Sequence, residues 1–414
     1  LDFLDNSKYM YSIVYNEKLK NKMKIKRKIL YYYRKICLDV ISEKKINFKK
    51  KIKSLMFYFV PNIWTSIKNK NIKFNIQKKK YEYKYNKYKR FCNKKNQREF
   101  LIFNTPLHGN IGDHAIIYAE EEILKQNNIK PFEIATYESQ FVLDYIKENT
   151  SKNSIISITG GGFIGSQWMY EQDLVKKVIN DFSNHKIIVF PSTIYFKNDL
   201  FGNSELEKFK KIVNNAEDVT IFARENKTFE LLKKEFKSVN SFLVPDIVLS
   251  LPIRYNDINK DGVLICLRKD VESKLTDNIK ESFFFELKQF NLNIKYTDTV
   301  VNYGINYKNR KEEIEKKLIE FEKAEIVITD RLHGMIFAFL TNTPCIVIGN
   351  YNYKVKGVYE WISKKTNKMI FVEKIDDIKN NVKNLLNTDK NDINNAFDIE
   401  FKEIKDLERR IKNG

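Results

Sequence analysis

Cysteine and histidine are scarce in this chain, four of each in 414 residues, which leaves little material for a metal centre or a disulfide framework. Cys37, Cys92, Cys266 and Cys345 lie far apart in apolar or aromatic surroundings. They fit reduced, buried thiols of a cytoplasmic protein, with no zinc spacing. There is no His-Glu-x-x-His and no Gly-x-Ser-x-Gly, so the metalloprotease and α/β-hydrolase chemistries lack their nucleophiles and ligands. His185, between a helix and a strand, has no chemical neighbours in the sequence. No apolar run approaches the roughly 18 residues of a membrane span. The opening Leu-Asp-Phe-Leu-Asp is neither a signal peptide nor an initiator Met, so the chain is expected to be a fragment of something longer. Glycine is missing from the first hundred residues, all 13 falling after them.

Acidic residues are missing from the same stretch. Residues 1–100 hold 29 Lys and Arg against 7 Asp and Glu, so the net charge of +21 belongs to this region and the rest is close to neutral. Two differently built parts therefore meet near Gln97. Residues 1–97 read as a basic, mainly helical extension with interleaved aromatics, as in Tyr31-Tyr-Tyr33 and Lys78-Lys-Lys-Tyr-Glu-Tyr-Lys-Tyr-Asn-Lys-Tyr-Lys-Arg90. Lysines with interfacial aromatics favour an anionic membrane surface, each cation contributing on the order of 1 kcal/mol. That predicts a protein at the inner face of the membrane. The same composition would follow nucleic-acid phosphates, but no recognisable nucleic-acid module is present, and a solvated lysine-rich surface is the bland alternative.

From Glu99 onward short β-branched runs alternate with amphipathic helices. Strands are expected at Phe100–Phe103, Phe132–Ala135, Ser154–Thr159, Ile187–Phe190, Val219–Ala223 and Phe242–Val244. A second series follows at Val263–Leu267, Ile294–Tyr296, Ile326–Thr329, Cys345–Ile348 and Ile370–Val372. This alternation predicts an α/β protein with two parallel sheets, each covered by helices. The expected parts are 98–255, 256–373 with a hinge at 256–262, and two charged helices over 374–414 packing back on the first domain.

Chemistry concentrates at the carboxyl ends of these strands, where open α/β sheets bind ligands. Ile326-Val-Ile-Thr-Asp-Arg-Leu-His-Gly-Met335 runs from strand through a polar turn into an apolar helix, bringing Arg331 and His333 to that edge. Arg331 offers a fixed fork of donors for phosphate or carboxylate, and His333 can move a proton near neutral pH. Taken alone, Arg331 could equally pair with Asp330 or Glu325, and His333 could be a satisfied helix-terminal residue. Arg224, Arg268 and Lys354 also follow strands, so two facing domains would line a cleft with cations, suited to a small multiply charged anion. Gly109, Asn110, Gly112 and Asp113 form one glycine-containing turn and Gly160, Gly161 and Gly162 another, whose backbone N–H groups can approach an anion at a helix N-terminus. Neither is a Walker loop or a dinucleotide fingerprint. Asp113 and His114 could be an acid/base pair, although helix capping by Asp113 is the simpler role.

Taken together, Gly109-Asn-Ile-Gly-Asp-His-Ala115, Thr159-Gly-Gly-Gly-Phe163, Ala223-Arg-Glu225, Pro245-Asp246, Thr329-Asp-Arg-Leu-His-Gly334 and Asn350-Tyr-Asn-Tyr-Lys-Val-Lys-Gly357 resemble the polysaccharide pyruvyl transferase family. The resemblance spans about Glu99 to Val372 and implies two Rossmann-like domains facing across a cleft, as in GT-B glycosyltransferases. It implies transfer of pyruvate from phosphoenolpyruvate, as a ketal, to a sugar of a cell-surface polysaccharide or its lipid-linked precursor. Arg331 and Arg224 would hold phosphate and carboxylate, His333 would be the acid, Arg268 and Lys354 would line the cleft, and no metal or other cofactor is expected. The rival activity for the same fold is a glycosyltransferase using a nucleotide-sugar donor. A non-catalytic scaffold of polysaccharide assembly is the other alternative.

Overall fold

A computed structural model describes residues 70–255, 258–268, 292–349, 353–373, 377–386, 397 and 400–405. The basic segment before residue 70, the hinge residues 256–257, the loop residues 350–352 and most of the tail beyond 386 lie outside these. The chain divides after Lys80, and Tyr81–Gly414 holds both sheets described below. Helix α1 spans Lys70–Lys94.

The first sheet contains β1 (Phe100–Thr105), β2 (Phe132–Ala135), β3 (Ile155–Ile158), β4 (Gly161–Gly165), β5 (Lys186–Tyr195), β6 (Asp218–Ala223) and β7 (Asn240–Leu243). The order is β2-β1-β3-β5-β6-β7, with β4 pairing on β5, and every pair is parallel. Helices α2 (Ile111–Gln126), α3 (Thr136–Asn149), α4 (Met169–Asp181), α5 (Leu200–Asn214) and α6 (Asn226–Glu235) connect the strands. The second sheet, also parallel, has the order β12-β11-β10-β8-β9. Its strands are β8 (Val263–Cys266), β9 (Ile294–Thr297), β10 (Ile326–Thr329), β11 (Cys345–Ile348) and β12 (Met369–Val372). Around it lie α7 (Arg310–Glu322), α8 (Leu332–Leu340), α9 (Lys354–Ile362), α10 (Ile378–Leu386) and the short α11 (Lys402–Lys405). Both expected sheets are thus present, and central strands such as β3, β8, β10 and β11 are buried along their whole length, as expected where helices cover both faces.

The two halves share one continuous apolar core. Ile111, Ala115 and Ile116 of α2 meet Val244, Ile247 and Val248 after β7 and Leu332, Met335 and Ile336 of α8. A two-residue antiparallel bridge joins them above this core, with Ile111 N–H donating to the Thr299 carbonyl (2.8 Å) and Val301 N–H to the Gly109 carbonyl (2.8 Å). Behind the core, Arg310 of α7 reaches Glu121 on α2 and Glu133 on β2.

Three features differ from expectation. The boundary near Gln97 falls after core residues, because Tyr81, Tyr85, Tyr88 and Cys92 on one face of α1 are buried with Leu101, Phe103, Phe141 and Ile146. The tyrosine spacing of three and four puts the rings on one helical stripe and turns the intervening lysines outward. Helix α10 does not pack back on the first half: Ile378, Val382 and Leu385 cover Val263, Ile328 and Ile346 of the second sheet, whose face would otherwise be bare. Finally, Gly160–Gly162 does not enter a helix. The chain bends after β3 and resumes as β4, with Gly161 at φ +138°, so these glycines present no helix N-terminus.

Candidate active site

A cavity of about 360 Å³ opens between the carboxyl ends of the two sheets. Of the residues singled out in the sequence, Gly109, Asn110, Asp113, Gly160, Gly162, Arg224, Arg268, Arg331, His333 and Lys354 line it. Gly112 and Gly161 do not; the positive φ of Gly161 makes the bend that presents its neighbours.

Arg331 and His333 owe their positions to the turn between β10 and α8. Arg331 occupies the N-cap position in extended conformation, so His333 falls in the first helical turn. Thr329 Oγ1 donates to the Cys266 carbonyl (2.7 Å) and accepts from Arg331 N–H (3.0 Å), locking the turn. Asp330 takes the Arg268 N–H on Oδ1 (2.8 Å), and burial pushes its carboxyl up to about 6. Arg331 Nη2 donates to Asp298, just beyond β9, at 2.8 Å.

Arg224 follows β6 and is almost fully buried. Its Nε donates to Thr193 Oγ1 and its Nη1 to Asp246 Oδ2, both at 2.8 Å. Its Nη2 lies beside Gly162, where a Cβ would stand 2.9 Å away, so a side chain at 162 would crowd the guanidinium. The second half supplies a brace, Trp361 Nε1–H donating to the Arg224 carbonyl (3.0 Å) and Tyr353 Oη to the Ile194 carbonyl (2.6 Å). That brace sets Lys354, at the start of α9, over the same cavity.

The His333 ring packs against Gly112, where a Cβ would come within 2.2 Å of Nδ1. Burial holds its pKa below the usual imidazole value, with Arg224 and Lys354 adding to the depression and Asp246 and Asp113 opposing it. The helix N-terminus beneath the ring also disfavours the cation. Nε2 is buried, has no hydrogen-bond partner among the described residues, and lies 3.9 Å from Asp246 Oδ2.

The helix cap of α2 is Asn110 rather than Asp113: Asn110 Oδ1 accepts from Gly112 N–H (3.1 Å), and its amide donates to Asp113 Oδ2 (2.8 Å). Ncap precedes the first helical residue, the position of Asn110, whereas Asp113 is already inside the first turn. His114 is no partner for Asp113. Its Nε2 meets the His108 carbonyl at 2.8 Å, and burial lowers its pKa to about 4.

Asp298 and Glu120 escaped notice in the sequence, and Asp246 figured there only within the Pro245-Asp246 pair, with no role. Asp246 and Asp298 each stand just past a strand's carboxyl end, which is a positional signal. Glu120 gives none, lying mid-helix, yet it is fully buried and its Oε1 accepts from Gly160 N–H (2.7 Å) and Thr159 Oγ1 (3.1 Å), fixing the glycine bend.

Residues 110–353 match the family model described as polysaccharide pyruvyl transferase. The chain belongs to this family. As a pyruvyl transferase it is an enzyme of polysaccharide synthesis. General stress protein 30 of Bacillus subtilis is 33% identical over 314 residues, covering 73% of this chain and 90% of that one. Pyruvyl transferase 1 of Schizosaccharomyces pombe is 26% identical over 270 residues, covering 61% and 66%. Among solved structures, a Klebsiella pneumoniae protein aligns with a TM-score of 0.49 at 21% identity, covering 74% of this chain and 99% of that one. The family match runs from the Asn110 cap to Tyr353 and so ends one residue before Lys354.

Proposed function

We propose that the cleft binds phosphoenolpyruvate and transfers its pyruvyl unit, as a ketal, to a sugar of a surface polysaccharide or of its lipid-linked precursor. What carries the reading is that Arg224, Arg268, Arg331 and Lys354, from both halves, line the one cavity that His333 also lines. Fixed guanidinium forks suit the donor's phosphate and carboxylate, as charge-assisted, bidentate hydrogen bonds are roughly twice as strong as neutral ones.

In this scheme the π electrons of the methylene group take a proton from His333, forming the methyl group and leaving C2 electron-poor. A sugar hydroxyl adds to C2. Phosphate then departs with the C–O electron pair, and a second hydroxyl closes the ketal. Of the two hydroxyl protons, one restores His333 and the other leaves with phosphate. Arg331 and Arg224 offset the charge on the departing group, Arg268 and Lys354 neutralise the rest of the donor, and Asn110, Asp113 and the glycine bend shape the floor. The steps call for no metal or cofactor. Contact of the basic N-terminal stretch with an anionic membrane at its cytoplasmic face belongs to the same proposal and rests on composition; nucleic acid has no role in it. Among the described residues no helix is long and apolar enough to cross a membrane.

Thermal unfolding with phosphoenolpyruvate, UDP, GDP and CMP tests the donor. At about 100 times its dissociation constant a ligand stabilises by roughly 2.7 kcal/mol, a readily measured rise in midpoint. Phosphoenolpyruvate should give that rise and Arg331→Ala should lose it. A rise with a nucleotide alone would make the donor a nucleotide sugar.

A further inference from the structure

We propose that Asp246 is a positioning residue that couples anion binding at Arg224 to proton-holding at His333, so that the acid is charged when the donor is seated. The inference rests on the donor reading above. Asp246 is fully buried, its Oδ1 accepting from Val248 N–H (3.0 Å) and its Oδ2 from Arg224 Nη1 (2.8 Å). The same Oδ2 lies 3.9 Å from the buried, unpartnered His333 Nε2. That gap exceeds the roughly 2.7–3.2 Å of an N–H···O bond, so the carboxylate is committed to Arg224.

An anion arriving at the Nη2 edge of Arg224, beside Gly162 in the cleft, competes with Asp246 for one cation. Loosening the Nη1 bond frees Oδ2 to close by about 1 Å and accept from Nε2–H. The charged groups that face His333 are Asp246 after β7, Asp113 on α2, Arg224 at the end of β6 and Lys354 at the start of α9. The carboxylates favour the imidazolium, whereas burial and the two cations oppose it. A bound anion offsets those cations as Asp246 moves in, and both changes favour protonation. Without an anion the ring stays neutral, which keeps the proton from being spent on water-borne bases. A carboxylate that only held Arg224 in place would leave His333 responding to the anion's charge alone, equally with or without Asp246.

The four histidines of the chain make the test tractable by ¹⁵N-imidazole NMR, with His333→Gln to assign the signal. The titration midpoint of His333 is followed in full-length wild type, Asp246→Asn and Asp246→Glu, alone and at saturation with phosphoenolpyruvate or inorganic phosphate, saturation being checked by calorimetry. In wild type each anion should raise the midpoint by about one pH unit, tenfold in proton affinity. Asp246→Asn should lose most of that response at saturation, and Asp246→Glu should recover part of it. An equal response in Asp246→Asn, or none in wild type with either anion bound, overturns the coupling. A response to phosphate in wild type that fails to bind phosphoenolpyruvate would keep the coupling and sink the donor reading.

Discussion

Replacing Arg310 by Leu should loosen the back of the cleft without touching the site. The guanidinium is almost fully buried, with Nη1 donating to Glu121 Oε2 and Glu133 Oε1 at 3.0 Å each and Nη2 to Glu133 Oε2 at 2.6 Å. It is the buried cation that ties α7 of the second half to α2 and β2 of the first. Burial pushes Glu121 up to about 8, and the neighbouring Glu133 carboxylate adds to the rise. Burial alone would raise Glu133 too, but the hydrogen bonds and charge of Arg310 hold it below the usual carboxylate range. Removing one partner of a buried ion pair costs about 3–5 kcal/mol, since the remaining charge has no counterpart. Leucine would also leave both carboxylates raised. An acid with a raised native pKa binds more protons folded than unfolded, so stability falls as pH climbs from the ordinary carboxylate value, about 4.3, through the native one. Wild type feels this at Glu121; the variant feels it at both. The deficit of Arg310→Leu should therefore be about 1–2 kcal/mol near pH 5.5 and about 3–5 kcal/mol near pH 8. Urea unfolding of both proteins at those pH values measures it. A deficit under about 1 kcal/mol at pH 8, or one independent of pH, would refute the reasoning.

Two further substitutions probe the site and the helix before it. Gly112→Ala places a Cβ where it would meet His333 Nδ1 at 2.2 Å, so transfer should fall by about 100-fold and the unfolding midpoint should drop, overpacking costing about 1–3 kcal/mol; unchanged kinetics would show that the ring position is not critical. Tyr85→Phe removes a buried hydroxyl that donates to Glu99 Oε2 (3.1 Å) and pairs with Thr150 Oγ1 (2.8 Å), and should cost about 1–2 kcal/mol, while Lys87→Ala on the exposed face should stay within about 0.5 kcal/mol. Equal effects in denaturant titrations would contradict the division of α1 into a core face and a solvated one.

The strand cores were legible because parallel, two-face-buried strands leave continuous β-branched runs, as in Ile326–Thr329 and Cys345–Ile348. Strand ends carried the cations of the site for the same topological reason. The charge of the stretch around residues 78–90 points to its lysines, and the tyrosines at positions 81, 85 and 88 that decide its packing read from sequence as interfacial aromatics. Glycine runs suggest turns, yet Gly161–Gly165 pairs as a strand on β5, which depends on a neighbour far away in sequence. Asp298 and Asp246 acquire their roles through guanidiniums 33 and 22 residues away, and pairings at that range leave no local signature.

Calorimetric titration of phosphoenolpyruvate into wild type, Arg224→Ala, Arg331→Ala and His333→Ala tests the division of labour at the centre of this account. Each arginine variant should lose at least about tenfold in affinity, roughly 1.4 kcal/mol, while His333→Ala binds within about threefold of wild type and transfers nothing. Full affinity in Arg331→Ala, or turnover by His333→Ala near the wild-type rate, would contradict it.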